Sequence, residues 1–172
     1  MKQIKKIVFI GCLLLVNFCL AQENVLGEIS LEDFKASEHN AWFERYYNAY
    51  QPSEEVVKEL AHTLANNNFE IEAYFGTWCP DSRRELPRLV KLLDEAKWDT
   101  SQLKLVGVDR SKKIPNASKE EKKRIQLKMI PTFIFSSENE EINRFVEYAV
   151  ETIEKDVLMI TQQKDYKNPY AK

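Results

Sequence analysis

The run Thr77-Trp78-Cys79-Pro80-Asp81-Ser82 holds the residues of this chain best placed to do chemistry. Cys79 follows an apolar stretch, Ile71-Glu72-Ala73-Tyr74-Phe75, and precedes a segment, Arg83 to Ala96, with helical patterning. A thiol at a strand-to-helix junction faces free backbone N–H groups and the positive end of the helix dipole, which favour an anion. The thiolate is the attacking form of cysteine, and helix N-termini promote it. A dithiol redox pair would place its second cysteine where this chain has Ser82. A mixed disulfide formed at Cys79 must therefore wait for an outside thiol, or for another thiol on the partner. Ser82 is expected to donate a hydrogen bond to the sulfur. Arg83 and Arg84 add positive charge within a turn, and Asp81 either opposes them or caps the helix.

The other cysteines fall in a different kind of segment. Lys2, Lys5 and Lys6 precede an apolar run from Ile7 to Leu20, and Cys19-Leu20-Ala21 offers small residues at a cleavage site. Residues 1–21 read as a secretory signal peptide, too short and wrongly flanked for a membrane span. Export, most simply to a periplasm, is the expected destination; the alternative is a membrane-anchored lipoprotein acylated at Cys19 or Cys12. Removing the leader takes three lysines from 25 basic residues and leaves 22 against 27 acidic ones, a net charge of −5. That balance argues against nucleic acid or an anionic membrane as the main partner. Of 3 cysteines, only Cys79 then remains, so it cannot form an internal disulfide.

The elements that must position Cys79 follow from periodicity and punctuation. Residues 22–50 form an N-terminal helical extension: Glu28 to Ala49 carries Leu31, Phe34, Trp42 and Tyr46 at helical steps, with a break at Ser37 to Asn40. Pro52 interrupts it, and Ser53 is set to cap a helix from Glu54 to Ala65. Strands are expected at Phe69 to Gly76, Leu103 to Asp109, a stretch through Phe135 after the Met129-Ile130-Pro131 turn, and Glu141 to Tyr148. Helices are expected at Asp81 to Ala96, with Pro87 inside it, at Lys119 to Leu127 and at Val150 to Gln163. The domain runs over 51–165, and 166–172 is expected to be a loose tail.

Four features, in order and at workable spacings, resemble the thioredoxin-like superfamily over about residues 51–163. They are Trp78-Cys79-Pro80-Asp81-Ser82, the helix proline Pro87, the strand Leu105-Val106-Gly107-Val108-Asp109 and the turn Ile130-Pro131-Thr132. The loop is similar to that of exported bacterial members that read Trp-Cys-x-Asp-Ser. The resemblance implies an α/β fold: a central mixed sheet of four to five strands flanked by helices, beside the N-terminal extension. It implies a cis Pro131 packed on Cys79 and the backbone of Ile130 offered to an extended substrate, a form of strand addition. Trp78, Pro80, Asp81, Ile130 and Pro131 would shape the substrate face. Two positions depart from the pattern. Ser82 replaces the resolving cysteine, and Ala73 stands where many members carry a buried acid, with Glu72 beside it.

The expected function is thiol–disulfide exchange of monothiol type, with Cys79 as nucleophile and Ser82 as its neighbour, on client proteins with disulfides or thiols or on a small-molecule thiol. The alternative is a redox-inactive adaptor or chaperone that binds extended peptides. No metal and no cofactor is expected, because His39 and His62 lack acids or a second thiol at ligand spacing. Trp42, Tyr46, Tyr47 and Tyr50 line either a packed face or a client groove. The charged run from Lys119 to Arg124 reads as a solvated helix face.

Overall fold

The computed structural model describes residues 23–171. The leader expected at 1–21, with Cys12 and Cys19 and the acylation alternative, lies outside them. The described chain builds one five-stranded sheet in the order β1-β3-β2-β4-β5. Its strands are β1 (Gly27–Ile29), β2 (Glu70–Phe75), β3 (Lys104–Gly107), β4 (Thr132–Ser137) and β5 (Glu140–Val146). β2 and β3 run parallel, which requires a crossover, and helix α4 (Pro80–Glu95) supplies it. The other three pairings are antiparallel. The sheet is therefore mixed, as the resemblance implied.

The helices are α1 (Leu31–Ala36), α2 (Asn40–Ala49), α3 (Glu54–Ala65), α4, α5 (Lys119–Ile125) and α6 (Ile153–Thr161). Strand alternation sorts them onto two faces. Ile71, Ala73 and Phe75 of β2 enter the main core, beside buried residues of α1 to α4 and α6. Tyr74 points the other way and joins Val106, Ile134 and Ile125, so that α5 covers the second face. Ser118 starts α5 with a complete capping box to Glu121.

Three details depart from the sequence reading. Glu28 and Ile29, expected at the start of a helix, belong instead to the strand Gly27–Ile29, paired antiparallel with β3. A three-residue strand carries too little alternation to be read, and its approach depends on Gly107: a Cβ there would lie 2.2 Å from the Val25 carbonyl oxygen. The helices expected within 22–50 are present as α1 and α2, and they pack on the rest of the domain. Phe34 and Phe43 are fully buried in the main core, and Phe34 meets Phe75 edge to face at 5.4 Å. Ser53 occupies the N-cap of α3, yet its side chain makes no capping hydrogen bond. The tail is also anchored: Tyr166 is buried, donates to Asp156 at 3.1 Å, and its carbonyl accepts from Asn143 at 2.9 Å. The break expected at 37–40 is present, between α1 and α2.

On the second face, Glu72 accepts from Arg124 at 2.7 and 3.1 Å and pairs with Lys104 at 3.3 Å. Burial alone would raise its pKa, but the two cations outweigh that and hold the carboxyl below the usual glutamate range.

Two predictions follow from this packing. Phe34→Ala should destabilise the protein by about 3–5 kcal/mol in urea unfolding, with a single transition, because it hollows the one shared core. An independent early transition would instead make the N-terminal helices a separate unit. Arg124→Met should lower stability at pH 7. The depressed pKa of Glu72 contributes stability above the unfolded value of about 4.3, and that stability is lost as pH falls through the folded value. The deficit of the variant should accordingly shrink in thermal melts taken at about pH 3.

Candidate functional site

Cys79 is the N-cap of α4, with extended backbone (φ −92°, ψ 122°). Its N–H donates to the Gly76 carbonyl at 2.9 Å, and its own carbonyl accepts from the Arg83 N–H at 3.0 Å. Pro80 takes the first helical position, where its fixed φ suits the helix and its missing donor costs nothing. The sulfur is thus held at the positive end of a 16-residue helix. Asp81 lies two residues past the capping position, inside the first turn of this helix. It pairs instead with Arg84 at 2.8 Å.

The sulfur meets the turn before β4. The Ile130–Pro131 bond is cis, and the Cys79 thiol donates to the Ile130 carbonyl at an Sγ–O distance of 3.6 Å. Cys79 is 7% exposed and packs with Val108 and Ile130. Trp78, Ile114 and Leu127 flank that small cluster. Trp78 is half-buried, its indole N–H donating to the Val108 carbonyl at 3.0 Å and its ring lying 5.1 Å from the Arg110 guanidinium. The absent side chain of Gly76 makes this possible. A Cβ there would stand 2.8 Å from both the Trp78 ring and Ile130 Cδ1. Cys79, Trp78, Ile130 and Pro131 therefore converge, with Pro80 and Asp81 at the rim.

Ser82 departs from its expected contact. It is fully buried, and its hydroxyl oxygen accepts from the Gly76 N–H at 3.1 Å; no hydrogen bond joins it to the sulfur. The side chain faces the end of β2, so it ties the active-site loop to the sheet. The two arginines are also engaged elsewhere. Arg83 Nε donates to the Thr77 carbonyl while its guanidinium lies 5.8 Å from the Trp42 ring. Arg84 binds Asp81 and Glu85. On β2, Ala73 faces the main core and Glu72 is taken up by Arg124 and Lys104, so this strand puts no carboxylate beneath the thiol.

Of the aromatic stripe, Trp42, Tyr47 and Tyr50 pack against the main core, with Tyr47 donating to Asp94 at 2.8 Å and Tyr50 to Glu154 at 2.5 Å, while Tyr46 lies beside Arg45. His39 is buried against Phe34 at 5.7 Å, and burial pushes its pKa down. Among the described residues no three His, Cys, Asp or Glu side chains gather as metal ligands. Sequence reading missed Gly76, Arg110, Ile114 and Leu127. The first three lie near the carboxyl ends of β2 and β3, where parallel strands of α/β sheets place their sites, and that rule could have found them.

A family model described as thioredoxin matches residues 30–164. No curated protein matches the chain. Solved structures that share its fold include two of low identity. One is a protein of unknown function from Pseudomonas aeruginosa, 15% identical, with 78% of this chain and 92% of the other covered at a TM-score of 0.58. The second is an HIV epitope-scaffold, also 15% identical with a TM-score of 0.58, covering 78% of this chain and 93% of its own.

Ser82→Ala should leave the Gly76 N–H buried and unpaired, at about 1–3 kcal/mol of stability. The rate of thiol alkylation at Cys79 in the folded state should change far less. A large rate change without loss of stability would mean that Ser82 acts on the sulfur after all.

Proposed function

The chain belongs to the thioredoxin family, and on that premise we propose that it carries out monothiol thiol–disulfide exchange through Cys79, outside the cytoplasm. The observation that carries the reading is the meeting of the sulfur with the Ile130 carbonyl beside Pro131, at the N-terminus of α4. The Cys79 thiolate attacks one sulfur of a partner disulfide. The partner S–S bond breaks, its leaving sulfur departs as a thiolate that takes up a proton, and Cys79 is left in a mixed disulfide. A second thiol, from outside or from the client, then attacks that bond and releases Cys79. The outside thiol gives net reduction, and the client's own thiol gives isomerisation.

The geometry supports a coupling between chemistry and binding. While protonated, the Cys79 thiol occupies the Ile130 carbonyl. The thiolate and the mixed disulfide have no proton to give, so that carbonyl becomes free to accept from the N–H of an extended client. Trp78, Pro80, Asp81 and Pro131 complete the face against which such a client would lie. Export rests on the charged and apolar pattern of residues 1–21, which is that of a cleavable leader. No helix among the described residues is long and apolar enough to cross a membrane.

A second reading, a redox-silent module that binds extended peptides, draws support from the 7% exposure of Cys79. One experiment separates the two. Incubated with oxidised glutathione at neutral pH, the protein should gain one glutathione by intact mass, and Cys79→Ala should gain none. Persistent failure with the fold intact would favour the silent module. Ser82→Cys should convert the stable adduct into an internal disulfide with release of glutathione, since a resolving thiol then stands one helical turn from Cys79.

A further inference from the structure

Beside the Cys79 cluster lies a groove of about 340 Å³ whose floor is Ile114 and Leu127 and whose walls carry Lys112, Lys113, Lys122 and Lys128. The same Ile114 and Leu127 pack on Cys79, Val108 and Ile130, so the groove is one layer of side chains from the sulfur. Lys128 is two residues before Ile130. Arg110, over the Trp78 ring at 5.1 Å, adds a fifth cation on the same side. Lys112 is fixed across the loop, its ammonium donating to the Lys128 carbonyl at 2.8 Å and approaching Met129 sulfur at 3.4 Å. Among the described residues, none of the five stands in an ion pair. The nearby Asp109 carboxylate accepts from the Ser111 hydroxyl and the Lys113 N–H, which hold its pKa down.

This concentration of positive charge stands in a chain with more acids than bases, 27 against 25. A cationic groove with an apolar floor focuses field toward an anion and raises its local concentration. We propose that the groove selects the partner of Cys79: a client whose reactive cysteine is flanked by an acidic, partly apolar extended segment. The carboxylates of that segment meet Lys113, Lys122 and Lys128, and its apolar side chains lie on Ile114 and Leu127. The proposal rests on the disulfide-exchange reading and adds the chemistry of the substrate to it. Lys122, on what reads in the sequence as a merely solvated helix, becomes a wall of the substrate path.

Two synthetic peptides test this, each with one cysteine activated as a thiopyridyl disulfide and identical except for three flanking glutamates or three flanking lysines. Cys79 sulfur attacks the peptide sulfur, the peptide–thiopyridyl bond breaks, and thiopyridone leaves with the proton, giving an absorbance signal. The acidic peptide should react about tenfold faster at low salt, and the ratio should collapse towards one near 1 M salt, where screening acts within about 3 Å. The triple variant Lys113→Glu/Lys122→Glu/Lys128→Glu, all exposed positions, should reverse the preference, read as the ratio of the acidic-peptide rate to the basic-peptide rate after each is divided by that variant's own rate with an uncharged thiopyridyl disulfide. Equal rates for both peptides, or a preference untouched by salt and by the triple variant, would overturn the groove and leave disulfide exchange standing. If neither peptide reacts, exchange itself fails. The groove is then read from anisotropy of a labelled serine analogue of the acidic peptide: salt-sensitive binding lost in the triple variant supports it, and no binding overturns it.

Discussion

The antiparallel register that sets Tyr74 of β2 beside Thr132 of β4 is the constraint on which the site depends. It places the outgoing end of β2, with its loop to Cys79, next to the incoming end of β4, with its Ile130-Pro131 turn. Because side chains alternate with period two, a slip of one residue would turn Ile71, Ala73 and Phe75 out of the core. It would also carry the Ile130 carbonyl away from the sulfur. The fully buried Phe133 and Phe135, packed in the same core, hold that register, so the chemistry of one thiol is underwritten by the burial of the central strands.

Around that junction, groups that looked like modulators of the sulfur turn out to be braces of the loop. Ser82 holds the Gly76 N–H, Arg83 holds the Thr77 carbonyl and reaches Trp42 on α2, and Arg84 is shared between Asp81 and Glu85. Trp78 is locked between the Val108 carbonyl and Arg110. The loop is therefore tied to the end of β2, to α2 and to the end of β3 at once. A nucleophile held in this way needs little reorganisation to meet a partner sulfur, which is the usual benefit of a preorganised site. The same bracing explains why the N-terminal helices belong to the domain: α2 carries the ring on which Arg83 rests.

The distribution of charge gives the two faces different roles. On the α5 side of the sheet, Arg124 and Lys104 neutralise Glu72 and secure the helix to β2. One turn of the same helix and the loop after it leave Lys122 and Lys128 open to solvent. One short charged helix thus contributes both to stability and to the cationic wall beside the thiol. Composition alone hides this, because a net charge summed over the chain erases its local sign.

The mixed directions of the sheet entered only through the family resemblance. The alternation of strands and helices, the place of Cys79 at the start of a helix and the Ile130-Pro131 turn were legible in the residues, each a local matter of apolar period, helix punctuation or a short motif whose parts lie within a few positions. What required the tertiary structure were relations between distant residues: Gly27–Ile29 pairing on β3, Phe34 closing the core, Tyr166 anchoring the tail, and Ser82 facing Gly76 rather than the sulfur. A three-residue strand and a serine hydroxyl carry no period of their own, so their partners are chosen only when the chain closes on itself. The lysines at 112, 113, 122 and 128 illustrate the division, since one-dimensional order scatters them, with Lys122 alone inside the solvated run from Lys119 to Arg124, and packing makes them neighbours around Ile114 and Leu127.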